Sequence, residues 1–335
     1  MEMNELVLDV SNLIVEYVTS EGTVHAVNDI DLKILPQKSV GMVGETGAGK
    51  TSTALAIMNL IPSPPGVIRS GKIKLNGYDV LNMKDSELDQ VRGSEVAMIF
   101  QDPMTALNPV LNIGEQIEES ILLHEKVSRE KAHEQACKML EMVGLDRSRV
   151  YDYPHQLSGG MKQRVIIAIA LCCNPHLLIA DEPTTALDVT IQAQVLDLIA
   201  NLRDTYKTAM LLITHDLGIV AEMCDEVSVM YAGRIVEHGT VKDVFTDTKH
   251  PYTEGLFNSL PNIKDRKSRL KPIVGLMPDP TEVPEGCSFA PRCSYATEAC
   301  FKRRPTLKAF SDTHKASCLA YEDPAFLIER NKHGR

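Results

Sequence analysis

A mostly apolar pentapeptide, Ser39–Val43, runs directly into Gly44-Glu45-Thr46-Gly47-Ala48-Gly49-Lys50-Thr51-Ser52, and apolar residues at helical spacing continue to Leu60. This passage limits the possible folds more than any other stretch of the chain. Glycines let backbone N–H groups converge closely, and the following helix adds the positive end of its dipole, so the loop is shaped for phosphate. Lys50 is spaced to reach β- and γ-phosphates, and Thr51 to offer a hydroxyl to Mg²⁺. A buried strand, a glycine loop and a helix in that order form one unit of an α/β sheet.

The remaining pattern fits such a sheet. Strands are expected at Lys72–Asn76, Glu95–Phe100, Leu177–Ala180, Ala209–Thr214 and Glu226–Tyr231, with helices between several of them, notably Thr190–Arg203. Alternation of the two predicts a mainly parallel sheet covered on both faces. Leu6–Val10, Leu13–Tyr17 and a pair within Val24–Leu35 read as short half-buried strands. Between Gln101 and Ser158 the signal is helical only (Ile113–His124, Arg129–Val143), which predicts an insertion into the α/β core. Prolines, glycines and charges without periodicity mark Pro261–Glu285 as a linker.

A formal charge of -10 over 335 residues lacks the basic footprint of a general nucleic-acid binder. The longest wholly apolar run, Val165–Cys173, falls far short of the roughly 18 residues that span a bilayer. The acidic start MEMNELVLDV does not read as a secretory signal, so a cytosolic chain with reduced cysteines is expected. The region 301–335 is basic, with eight Lys/Arg against four Asp/Glu; it reads as a solvated helix or a contact for an acidic partner or membrane.

Two further motifs carry chemistry. Leu177-Leu-Ile-Ala-Asp181-Glu182-Pro183 is an apolar strand ending in two carboxylates, the pair that a Mg²⁺-dependent ATP hydrolase needs. Leu157-Ser158-Gly159-Gly160-Met161-Lys162-Gln163-Arg164 opens a helix that Ser158 caps, leaving free N–H groups for a γ-phosphate. With these in order, the chain resembles the ATP-binding-cassette (ABC) ATPases over residues 5–260.

The resemblance implies an α/β P-loop fold: a RecA-like core, an antiparallel β subdomain and a helical insertion at about 102–172. Within it, Tyr17 corresponds to the aromatic that stacks on adenine, though it could also be simple strand packing. Gly44–Thr51 corresponds to the Walker A loop and Gln101 to the Q-loop glutamine that meets Mg²⁺ with Thr51 and Asp181. Ser158, Gly159 and Gly160 correspond to the signature, Asp181 and Glu182 to the Walker B pair, Ala186–Asp188 to the D-loop and His215 to the switch histidine. Gln37-Lys38 departs from the usual Gly-Glu turn, and Met161 replaces a commoner Gln. The family works as two cassettes enclosing two ATP molecules, so Ser158 and Gly160 are expected to serve nucleotide on a second ATPase subunit, identical or paralogous, and Asp188 is expected among the nucleotide-site residues.

The residues after 250 sharpen the resemblance. His250-Pro-Tyr-Thr, Pro291-Arg-Cys and the cysteines Cys287, Cys293, Cys300 and Cys318 look like the extension of oligopeptide and dipeptide importer ATPases. Four thiolates can hold zinc or an iron–sulfur cluster, or remain unliganded. No Cys-x2–4-Cys pair is present, and the resemblance implies a [4Fe-4S] cluster. It also implies a peripheral protein on the cytoplasmic face of a prokaryotic membrane, two transmembrane permeases, an extracellular binding protein and no nucleic-acid partner. Peptides are the favoured cargo, with nickel chelates or oligosaccharides as alternatives. The segment Asp102–Glu125, with Met104 and Leu107, is expected to dock on the permeases. A soluble non-transport cassette ATPase would need long coiled-coil arms, for which the 56 residues between Gln101 and Ser158 are too few. A redox regulator with vestigial ATPase activity is disfavoured by intact Lys50, Glu182 and His215.

Overall fold

The computed structural model describes residues 6–185, 187–259 and 272–322. Two sheets organise them. The first is antiparallel and contains β1 (Leu8–Thr19), β2 (Gly22–Ile34), β4 (Gly66–Leu75) and β5 (Tyr78–Asp79), in the order β2-β1-β4-β5. The segment expected as two strands, 6–10 and 13–17, is one strand whose register shifts between Val10 and Ile14. Asn12 causes the break by taking φ 50°, a left-handed conformation that asparagine accepts more readily than most residues.

The second sheet has the order β11 (Lys308–Ala309), β12 (Lys315–Ala316), β10 (Arg234–Thr240), β9 (Glu226–Tyr231), β3 (Ser39–Val43), β8 (Ala209–Thr214), β7 (Leu177–Asp181), β6 (Val96–Ile99). Its parallel part comprises β3, β6, β7, β8 and β9. Every residue of β3, β6, β7 and β8 is buried, which is why these strands read as continuous apolar runs. Helix α1 (Lys50–Ile57) leaves the tip of β3, and its Ala54, Ala56 and Ile57 join a core shared with the first sheet. Helix α2 (Asp85–Val91) closes that core through Leu88 and Val91.

The insertion contains α3 (Pro103–Ala106), α4 (Ile113–His124), α5 (Arg129–Met142) and α6 (Gly159–Leu171). Ile113, Ile117 and Ile121 recur every four residues on α4 and pack with Ala132, Ala136 and Leu140 of α5. Each buried isoleucine contributes roughly 1.5–3 kcal/mol relative to exposure. Asn112 caps α4 in a capping box with Glu115, and Ser128 caps α5. Leu107, expected on the docking surface, is instead buried in this core. Of Met104 only the backbone is described. Helices α7 (Val189–Tyr206) and α8 (Leu217–Met223) complete the cover over β7, β8 and β3.

Strand β10 (Arg234–Thr240) runs antiparallel to β9, and α9 (Val241–Thr246) and α10 (Pro251–Asn258) follow it. Beyond them the chain rejoins the same sheet. After α11 (Glu298–Lys302), β11 (Lys308–Ala309) pairs with β12 (Lys315–Ala316), and β12 pairs with β10 at Glu237↔Ala316 and His238↔Lys315. Glu237 is fully buried at this junction, and its carboxylate accepts from Lys249 N at 2.6 Å and His250 N at 2.9 Å. His314 Nε2 lies 2.9 Å from the same carboxylate. Tyr231, Tyr252 and Phe289 form an aromatic cluster joining β9, α10 and the later segment. Residues 261–271 of the expected linker and 323–335 of the basic tail lie outside the described residues.

Candidate nucleotide site

The loop after β3 is shaped by close approach. A Cβ at Gly44 would stand 2.2 Å from the Met230 carbonyl oxygen, and one at Gly49 would stand 2.2 Å from the Ala26 carbonyl oxygen. Gly49 also has φ 104°, outside the range of ordinary side chains. Ala48 is buried in the core, so Gly44 and Ala48 seat the loop and do not line the cavity.

Thr46, Gly47, Gly49, Lys50, Thr51 and Ser52 line one wall of an open cavity of about 470 Å³. Tyr17, Val24 and Ala26 line another part, and Gln101, Glu182 and His215 a third. The volume lies within the roughly 300–1,000 Å³ usual for small-molecule sites. The Tyr17 hydroxyl donates to Ser52 Oγ at 3.3 Å, which ties the first sheet to the phosphate loop.

Lys50 curls back into its own loop and donates to the Gly44 carbonyl at 2.8 Å and the Glu45 carbonyl at 3.1 Å. Burial lowers its pKa, while the carboxylates of Glu182, Asp181 and Glu45 oppose that shift. Asp181 ends β7 almost fully buried, and burial raises its carboxyl pKa against a hydrogen bond from Thr51 and the charge of Lys50. Its Oδ1 is buried and has no hydrogen-bond partner among the described residues. A buried, unpartnered carboxylate oxygen beside a threonine hydroxyl suits a hard cation such as Mg²⁺.

Glu182 is held from three sides. Gln101 Nε2 donates to its Oε2 at 3.0 Å, Thr185 Oγ1 donates to the same oxygen at 2.9 Å, and His215 Nδ1 lies 3.4 Å from Oε1. The His215 side chain is 67% exposed, at the open mouth of the cavity.

Ser158, Gly159, Gly160 and Asp188 are not brought to this cavity. They stand at the N-termini of α6 and α7, with Ser158 Oγ accepting from Met161 N at 3.4 Å. Ala186 lies outside the described residues. Glu45 points away from the cavity and pairs with Arg292 at 2.9 Å, and Pro280 joins the cavity wall. The sequence reading assigned neither Arg292 nor Pro280 a place here; the Pro-Arg-Cys motif containing Arg292 was the available signal.

The expected [4Fe-4S] cluster is corrected. Among the described residues, no group of three or more His, Cys, Asp or Glu is placed to hold a metal ion. Cys287, Cys293, Cys300 and Cys318 border a cavity of about 20 Å³, which has room for a single water and not for four irons. Burial raises the Cys287 pKa and pushes Cys293 up to about 12. A small segment without a core of its own commonly needs a metal to fold. The segment instead shares the core of the cassette through β12, Glu237 and Phe289.

The sequence family described as "ABC transporter" matches residues 27–185, and that described as "Oligopeptide/dipeptide transporter, C-terminal region" matches residues 236–300. The oligopeptide transport ATP-binding protein AppD of Bacillus subtilis is 48% identical over 318 residues, covering 94% of this chain and 97% of AppD. The chain belongs to the ABC transporter family. OppD of Salmonella typhimurium, an oligopeptide transport ATP-binding protein, is 45% identical and covers 94% of this chain and 93% of its own length. Among solved structures, the dimeric post-hydrolysis state of the ATP-binding cassette MJ0796 bound to ADP and Pi aligns with a TM-score of 0.63. It has 25% identity and covers 70% of this chain and 98% of its own. The present chain is therefore an ATP-hydrolysing ABC transporter subunit that uses ATP and Mg²⁺ and carries a C-terminal region of the oligopeptide/dipeptide transporter type. No helix among the described residues is long and apolar enough to cross a membrane.

Proposed function

We propose that the cavity binds ATP with its phosphates in the 44–49 loop and that Glu182 is the general base for hydrolysis. The observation that carries this reading is the Glu182 carboxylate, fixed by Gln101, Thr185 and His215 on the cavity that Lys50 also lines. Lys50 leaves its two carbonyl partners and turns to the β- and γ-phosphates, and Tyr17 packs on the adenine. Thr51, Asp181 and Gln101 hold Mg²⁺, which when bound neutralises phosphate charge. Glu182 takes the proton of the attacking water, and His215 at the rim meets the γ-phosphate.

Ser158, Gly159, Gly160 and Asp188 stand apart from this cavity and are reserved for nucleotide on a second cassette, most simply a paralogue. We divide the chain into a nucleotide-binding domain at 1–260, with its helical insertion at about 102–172, and a linker and extension at 261–335. The cassette pair works at the cytoplasmic face of the membrane on two permeases, which receive peptides from an extracellular binding protein. Exposed apolar side chains on the insertion suit that docking: Val110 is 76% and Leu123 74% exposed. Glu182→Gln tests the assignment. It should retain MgATP binding and lower turnover of the assembled importer by about 10²–10⁴-fold, the usual effect of losing a general base. Wild-type turnover would remove Glu182 from that role.

A further inference from the structure

The chain beyond α10 returns to the nucleotide cavity at one point and to the back of its phosphate loop at another. The first is a strip, 277–281, lying along β2. His25 N donates to the Pro280 carbonyl at 2.8 Å, and Pro280 lines the cavity together with Val24 and Ala26, the residues flanking His25. The Met277 methyl would lie 3.2 Å from a Cβ placed on Gly47 of the phosphate loop.

The second point is Arg292, whose side chain is only 6% exposed. Its Nη1 donates to Glu45 Oε2 at 2.9 Å and to the Tyr231 hydroxyl at 3.3 Å, and its Nε donates to the Val274 carbonyl at 3.2 Å. The guanidinium also stands 5.8 Å from the centre of the Tyr231 ring. From the backbone side, Glu45 N donates to the Tyr252 hydroxyl at 2.9 Å. The second residue of the phosphate loop is thus held at its amide by α10 and at its carboxylate by the later segment. The charge matters as much as the geometry. An unneutralised Glu45 carboxylate in this loop would oppose incoming triphosphate, and Arg292 supplies the compensating charge.

Resting on the reading of this cavity as the ATP site, we propose that the C-terminal extension is a working part of it. Pro280 contacts the nucleotide, and Arg292 is a positioning residue that holds and neutralises Glu45 so that the loop accepts phosphate. The extension thereby sets the affinity of the cassette for ATP.

Calorimetric titration of the full chain with MgATP tests both contacts. Arg292→Gln should raise Kd about tenfold, and Arg292→Gln with Glu45→Gln should restore it to within about threefold of wild type, because the uncompensated charge is gone. A purely structural role for Arg292 would not be rescued by removing its partner. Pro280→Glu should weaken MgATP about three- to tenfold, whereas Pro280→Lys should not, a charge-dependent split that simple disruption of the strip would not produce. If Arg292→Gln loses its circular dichroism signal, the Pro280 pair decides alone. Equal Kd values for Pro280→Glu and Pro280→Lys, or wild-type affinity in a folded Arg292→Gln, would overturn the proposal. Lys50→Ala separates the two levels of inference: if it loses MgATP while those variants do not, only the role of the extension falls. If Lys50→Ala binds like wild type, the site reading itself falls.

Discussion

Gly49→Ala is a sharp test of how the phosphate loop is built, and Gly77→Ala is its control. Both glycines have positive φ, 104° and 88°, but their surroundings differ. A Cβ at Gly77 meets nothing within 4 Å, whereas one at Gly49 would stand 2.2 Å from the Ala26 carbonyl oxygen and 2.8 Å from the Met230 methyl. An alanine at positive φ costs roughly 1–2 kcal/mol, partly offset by the smaller entropy of its unfolded chain. Gly77→Ala should therefore lower Tm by about 2–4 °C and leave MgATP affinity unchanged. Gly49→Ala carries the same torsional cost plus a clash with backbone. Relieving the 2.2 Å approach to an ordinary contact moves the loop or β2 by about 1 Å. Displacements of that size typically cost about 10²-fold in catalysis. Differential scanning calorimetry and MgATP titration, run on both variants, separate the two contributions. If Gly49→Ala bound and hydrolysed ATP like Gly77→Ala, close approach would not be what the glycine provides.

Other consequences are open to measurement. His238 is held neutral, with its pKa lowered to about 4 by burial and then by the charges of Lys315 and His314, even though Glu226 lies 3.5 Å away. The unfolded chain takes up the proton from pH 6.5 downward, so stability should be full above that pH and fall between 6.5 and 4, by at most about 3 kcal/mol. Urea unfolding across that range should show a shallower slope for His238→Gln; an unchanged slope would refute the assignment. Glu237→Ala removes the acceptor of two buried backbone N–H groups and the partner of His314, and should cost about 3–5 kcal/mol in chemical denaturation. Leu123→Glu should reduce co-purification of the permeases with Tm unchanged, because its side chain is exposed; a fall in Tm would show instead that it packs.

What could be read in the sequence followed from how local its determinants are. Ser39–Val43, Ala209–Thr214 and Glu226–Tyr231 have the bounds expected of them because central parallel strands are apolar over most of their length. The lining residues from Thr46 to Ser52 are near neighbours in the chain, and Glu182 and His215 end adjacent strands of the sheet. Strand β10 was not expected because Arg-Ile-Val-Glu-His-Gly-Thr carries charged and polar residues, and the reason for Glu237 lies in partners from residue 249 to 314. The Arg292–Glu45 pair spans 247 residues, and no periodicity within either segment announces it. Leu107 was misplaced because Met104-Thr-Ala-Leu107-Asn-Pro-Val110-Leu111 has no clear periodicity to mark which of its apolar side chains is covered.

The pairing of β12 with β10 also bears on how this protein can be divided. The later strands shield a sheet edge whose backbone groups would otherwise be open to any passing strand. Ending the chain after α10 would remove His314 from the buried Glu237 carboxylate and uncover that edge at the same time. A shortened cassette would be prone to self-association through β10 before its chemistry could be measured, so the last fifty described residues serve as a solubility device for the ones before them.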